Sequence, residues 1–221
     1  MEQDRLKVRQ LYQQMSFPEK CKYLWTEFRW HFLAVVIAVA VLISMAVHFL
    51  NKEEPVLWGA TINLSLTPAE TYVQQWEAAL ELDAGNCISF DNGVLIKLED
   101  LNNSQSLSYA SAYRIICAVA AQELDFVITD KNGLMFLYNE EICRDVRDIL
   151  EESLLKVYEP YLYTPEELEI PIALDLSGTP MAQMLGLTEE EVYLALPNLS
   201  GNNALLQDLL KYIYDYAIKK S

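Results

Sequence analysis

From Trp30 to Leu50 the chain reads WHFLAVVIAVAVLISMAVHFL, twenty-one residues without one Asp, Glu, Lys or Arg. As a helix at about 1.5 Å per residue, this run spans roughly 30 Å, the thickness of a bilayer's hydrocarbon. Between His31 and His48 only Ser44 interrupts its apolar surface, whereas the core helix of a soluble protein shows a polar side. A cleaved secretion signal has an apolar stretch of only about 7–15 residues followed by a small-residue cleavage site. Here NKEEPVLWG follows instead. The expectation is a single transmembrane helix over 30–50, a cytoplasmic arm and pre-membrane helix over 1–29, a short linker over 51–54 and an extracytoplasmic domain over 55–221.

The direction of the span follows from charge. Residues 1–30 carry six basic side chains (Arg5, Lys7, Arg9, Lys20, Lys22 and Arg29) against four acids, and the remainder ten against twenty-eight, which together make the net −16. Basic flanks stay cytoplasmic, so the expected arrangement is a cell-membrane protein with its N-terminus inside and its acidic domain outside. Trp25, Phe28 and Trp30 suit the inner interfacial belt, with Arg29 snorkelling. His31 and His48, near the two ends of the run, are read as passive. The acidic exterior speaks against nucleic acid as a partner. Cys87, Cys117 and Cys143 are an odd external set without C-x-x-C spacing. That pattern gives neither a disulfide framework nor a zinc site; a pairing of two of them stays open, and they read mainly as small buried apolar residues.

Ser16, Pro18 and Glu19 predict a helix start that runs on into the span. Beyond it, apolar runs at strand length alternate with helical periodicity. PVLWGATINLSL (Pro55–Leu66) reads as a strand. Thr67, Pro68 and Glu70 read as a capping box with a helix-starting proline, ahead of a helix with Tyr72, Val73, Trp76, Ala79 and Leu80 on one face. Asp91-Asn92-Gly93 between two short β-type runs predicts a tight hairpin. SQSLSYASAYRIICAVAAQ reads as a helix packed closely on a sheet, ELDFVITD as a buried strand, KNGLMFLYNE as a turn and short helix, and ICRDVRDILEESLLKVYEP as short helical turns. LEIPIALDLSG reads as a strand that Pro171 demotes to an edge or bulge. Thr179 and Pro180 start a short helix that Gly186 stops, EEEVYLALP is another strand, and a final helix turns Leu205, Leu206, Leu209, Ile213 and Tyr216 inward, with Lys219 and Lys220 at its negative end. The fold class is α/β: after the membrane helix, one mixed, mostly parallel sheet flanked by helices.

No enzyme constellation stands out. Outside the span there is no histidine, which removes His-based triads and most zinc sites, and phosphate-loop and nucleophile-elbow patterns are absent. Glu166-Glu167 and Glu189-Glu190-Glu191 read as solvated turns. DKNG at Asp130–Gly133 lacks the alternating oxygens of a calcium loop. No cofactor or metal is expected. In open α/β sheets ligands meet the carboxyl ends of strands, beside helix N-termini. That rule nominates three clusters for ligand binding: Asp130, Lys131 and Asn132; Ser177, Gly178 and Thr179; Asn198, Ser200 and Asn202. Asp175, Tyr109, Tyr113, Tyr161 and Tyr163 are candidates to line a groove there.

The run Gln122-Glu123-Leu124-Asp125, Phe126–Thr129, Asp130, Leu134–Tyr138 and Val146–Leu150 resembles bacterial type II extracellular solute-binding proteins, as does the close IPIALDLSGTPMAQMLGL…EEVYLALPNLSGNNALLQDLLKYI. The whole chain also looks like small single-pass membrane proteins of Firmicutes, in which a Tyr-x-x-Trp helix precedes the span. The resemblance implies a reduced, one-lobed solute-binding fold. Such proteins close two lobes on a solute, and this exterior has room for one. The expected function is therefore a non-enzymatic interaction module that docks on a membrane or envelope protein. The alternative is a tethered domain that captures a peptide, sugar or other small ligand.

Overall fold

The computed structural model describes residues 16–50, 53–166, 168–187, 191–197 and 202–215. The arm over 1–15, residues 51 and 52 of the linker, Asn198, Ser200, Tyr216, Lys219 and Lys220 lie outside the described residues. The chain forms two compact units, Met1–Lys52 and Glu53–Ser221.

The described residues of the first unit form one helix, α1 (Phe17–Leu50). It starts where the sequence predicts: the Ser16 amide and hydroxyl both donate to Glu19 Oε2, at 2.9 and 2.8 Å, satisfying groups that a helix start leaves open. Its stretch Arg29–Val47 has a mean hydropathy of 2.5 and is left uncovered by the described residues. This helix is long and apolar enough to span a membrane.

The second unit holds a six-stranded mixed sheet in the order β2-β1-β3-β6-β5-β4. Its elements run β1 (Glu54–Ile62), α2 (Ala69–Ala79), β2 (Asn86–Val94), α3 (Leu107–Ala120), β3 (Phe126–Thr129), α4 (Lys131–Asn139), α5 (Glu152–Tyr158), β4 (Leu162–Tyr163), β5 (Ala173–Asp175), α6 (Pro180–Met184), β6 (Tyr193–Ala195) and α7 (Asn203–Ile213). β1 pairs in parallel with β2 and β3, whereas β3–β6, β6–β5 and β5–β4 are antiparallel. The sheet is mixed rather than mostly parallel.

Side chains alternate between faces with the two-residue strand period. Phe126 and Ile128 join Leu57, Trp76 of α2, Tyr158 of α5 and Leu206, Leu209 and Leu210 of α7 on one face. Val127 joins Ala60, Ile62, Ile115 and Val119 of α3 and Leu134 and Leu137 of α4 on the other. Phe126, Val127 and Ile128 are each 1% exposed or less, as a strand covered on both sides requires. Each such side chain contributes about 1.5–3 kcal/mol by leaving water.

Three local expectations are corrected. Asp91-Asn92-Gly93 is not a hairpin, because Asn86–Val94 is one continuous strand. A two-residue hairpin turn of that type needs positive φ at both centres, and here Gly93 alone has it, at +83°. The extra residue is absorbed as a bulge opposite Ala60–Ile62, while the Asn92 side chain accepts from Leu66 N at 2.8 Å and donates to Leu66 O at 2.9 Å. The asparagine stitches the loop after β1 to β2 instead of turning the chain. Second, Thr67 forms no capping box. Pro68 is still extended and α2 begins at Ala69, which leaves the threonine one position too far out. Third, Pro171 lies just before β5, which is an inner strand flanked by β6 and β4; its carbonyl accepts from Val146 N at 2.9 Å.

Candidate functional site

The carboxyl ends of β1, β2 and β3 emerge at one edge of the sheet because the three run parallel. A single asparagine joins them. Asn63, in the left-handed region at φ +61°, donates its amide to Val94 O at 2.7 Å and accepts from Ile96 N on Oδ1 at 2.8 Å. Its Nδ2 donates to Asp130 Oδ1 at 3.0 Å. Asparagine tolerates this backbone better than most residues, and its side chain carries both a donor and an acceptor, so one residue ties three strand ends.

Asp130 caps α4, its Oδ1 accepting from Gly133 N at 2.7 Å. α4 lies close on β1 and β3: a Cβ added at Gly133 would overlap Thr129 Oγ1 and come within 2.7 Å of Ile62 Cγ2. The expected turn over Lys131–Gly133 is thus the first turn of the helix. Above these ends lies a groove of about 470 Å³ lined by Asn63, Leu95, Ile96, Lys97, Leu98, Glu99, Asp130 and Asn132. Its polar groups carry both signs, and its apolar wall is the Leu95–Leu98 segment.

The nominated clusters separate. Asp130 and Asn132 line the groove. Lys131 lies beside them with Nζ 3.8 Å from Glu191 Oε1, both side chains about half exposed, an arrangement worth little in water. Ser177, Gly178 and Thr179 follow β5 at the same edge, since Asp175 pairs with Tyr193 and Tyr193 with Thr129. They serve the turn: Ser177 Oγ accepts from Val192 N at 2.9 Å, and Thr179 caps α6. Asp175 likewise accepts from Ser177 N at 2.9 Å. Asn202 lies at the opposite edge, donating from its amide to Asp125 Oδ1 at 3.4 Å and from Nδ2 to Val56 O at 3.3 Å. β6 runs antiparallel to β3, so the segment after it leaves at the other end. Asn198 and Ser200 are outside the described residues.

Tyr109 and Tyr113 are exposed on α3. Tyr161 and Tyr163 pack instead against Tyr158 and Tyr193, with ring centroids 6.3 and 4.5 Å apart. Asn63, Lys97 and the Leu95–Glu99 wall were not nominated. An asparagine closing the apolar run of β1 was the available signal for the first. A second hollow, about 590 Å³, opens between α3 and β1–β2 and includes Trp58, Ala60, Asp91, Arg114, Cys117 and Ala118, with Arg114 and Asp91 paired at 2.7 Å.

Cys87, Cys117 and Cys143 are free thiols; Cys117 is exposed and Cys87 and Cys143 half-buried, rather than buried as expected. Burial pushes the Cys143 thiol up to about 12, which leaves it inert near neutral pH. Among the described residues no group of three or more His, Cys, Asp or Glu side chains is placed to hold a metal ion. No family model, characterised protein or solved structure matches the chain.

Proposed function

We propose that the protein is a single-pass, membrane-anchored interaction module with a cytoplasmic N-terminus, whose acidic sheet domain docks non-enzymatically on a membrane or envelope protein. One observation carries this reading. Among the described residues of the second unit, the exposed large apolar side chains are Leu95, Leu98, Leu107, Tyr109, Tyr113 and Ile170. All but Ile170 fall within residues 95–113, from the β2 exit through the first two turns of α3. Scattered exposed apolar residues are ordinary, whereas five of them along one nineteen-residue segment are the material of a binding surface, and tyrosine is enriched in such surfaces.

The groove at Asn63, Asp130 and Asn132 supports a second reading, capture of a small polar or zwitterionic solute. Its volume lies within the roughly 300–1,000 Å³ of ordinary ligand pockets, and a one-lobed solute-binding-like domain would use that edge.

The test places a photo-crosslinking residue at Leu98, Tyr113 or Ser153 of the full-length protein in native membranes. Docking predicts a discrete protein adduct from Leu98 and Tyr113 and none from Ser153 on α5. Absence of adducts at both patch positions, together with thermal stabilisation by a small solute that Asn132→Ala abolishes, would overturn docking in favour of the solute.

A further inference from the structure

The first turn of the apolar stretch of α1 carries a feature that spanning alone does not need. Trp25, Arg29, Leu33 and Val36 recur at spacings of four, four and three, and so share one face of the helix. With Trp30 they line a notch of about 440 Å³. The Arg29 guanidinium carbon lies 5.7 Å from the centre of the Trp30 ring. None of the described residues of the first unit covers the notch: Trp25 is 67% exposed, Trp30 69% and Val36 64%.

We infer that this notch seats one membrane phospholipid, with its phosphate on Arg29 between the two indoles and an acyl chain along Leu33 and Val36. Arg29 stands at the boundary of the 29–47 stretch, so in a membrane the material around it is the headgroup layer. A snorkelling arginine needs only to reach that layer. Here the ring of Trp30 holds the guanidinium beside the helix, which presents a planar fork suited to two phosphate oxygens. Each indole adds an N–H donor and an apolar body, the combination that settles tryptophan at interfaces. Below the cation the same face turns aliphatic, in the order of a lipid's own headgroup and chain. Lys20 and Lys22 carry the same charge about two turns or more earlier, further from the aliphatic part of the helix. This inference needs the span but not the docking reading, and either can fail alone.

The test is native mass spectrometry of the full-length protein released from nanodiscs holding phosphatidylglycerol, or diacylglycerol of the same chains in a phosphatidylcholine background. The expected result is one phospholipid retained per chain, phosphatidylglycerol or phosphatidylcholine, and no diacylglycerol, with inorganic phosphate unable to displace the lipid. Arg29→Gln should reduce retention about tenfold or more, since it removes a charge-assisted pair. Arg29→Lys should reduce it less, since it keeps the charge but not the fork, and Lys22→Gln should leave it unchanged. Alkaline extraction confirms that each variant is still inserted. Equal losses for Arg29→Gln and Lys22→Gln would reduce the effect to general attraction of positive charge to lipid and overturn the seat. No retained lipid, or displacement by inorganic phosphate, would overturn it as well.

Discussion

The two halves of the sheet are built differently. β2, β1 and β3 run parallel, and two of them are nine residues long. β6, β5 and β4 are antiparallel and only three, three and two residues long. Parallel strands deliver their carboxyl ends to one edge, where Asn63 and Asp130 bind them together under the groove. Antiparallel strands send their exits to alternate edges, which leaves Ser177 on the groove side and carries Asn202 to the far one. Strand direction decides which loops can meet.

The largest expected effect lies where the parallel half is tightest. Inside a helix, alanine normally outdoes glycine by roughly 0.5–1 kcal/mol. At Gly133 the clash with both Thr129 and Ile62 outweighs that gain, because two contacts this close place the overpacking cost at or above the upper end of the usual range of about 1–3 kcal/mol. Gly133→Ala should therefore lower stability in urea unfolding of the detergent-solubilised chain; a gain would mean that α4 does not lie so close on the sheet.

Next comes the residue that links the halves. Asp125 is 1% exposed, accepts from Trp58 N at 2.8 Å and receives the amide of Asn202 from the antiparallel side. Asp125→Ala strands the Trp58 N–H and should cost about 1–3 kcal/mol, while Asp125→Asn, which keeps an accepting oxygen, should cost less. Equal losses would show that the carboxylate's charge, not its acceptor geometry, is what matters.

A smaller effect belongs to the helices beside the antiparallel half. Tyr158 Oη donates to Leu210 O at 2.7 Å, tying α5 to α7. Tyr158→Phe should cost about 0.5–1.5 kcal/mol in the same assay. An unchanged midpoint would mean that the two helices hold by apolar packing alone.

The smallest effect is one of pH. Asp145 caps the 3₁₀ turn Val146–Asp148, and its hydrogen bonds with Arg147 hold its carboxyl below the usual carboxylate range. A lowered folded pKa means that the contribution is fully present above the unfolded value near 3.9 and fades as pH falls through the lower folded one. The stability difference between the wild type and Asp145→Asn should therefore be constant from pH 5 to 7 and shrink below about pH 4. A difference that grows on acidification would contradict the sign.

What was legible in the sequence was legible for local reasons. The long apolar helix shows in an unbroken absence of charge, the starts of α1 and α6 in Ser16 and Thr179, and the buried strand of β3 in its apolar run between acids. The misreadings were tertiary. Asn92-Gly93 has the composition of a hairpin, but Leu66, twenty-six residues earlier, claims the asparagine's side chain. Thr67 has capping chemistry, but the helix begins beyond its reach. Asn202 stands after a strand as Asp130 does, and only the direction of β6 sends it to the far edge. Lys97 and Leu98 enter the groove because β2 continues past its bulge, which a hairpin at Asn92-Gly93 would have prevented.

The proposed function requires that α1 cross a membrane with the acidic unit on its outer side. The most direct test is labelling of intact cells with a membrane-impermeant maleimide, using one variant that keeps only Cys117 and another that keeps only Cys21. Cys117 is exposed on α3, so it should label in intact cells, and Cys21 only after lysis. Labelling of Cys21 in intact cells, with Cys117 protected until lysis, would contradict the account.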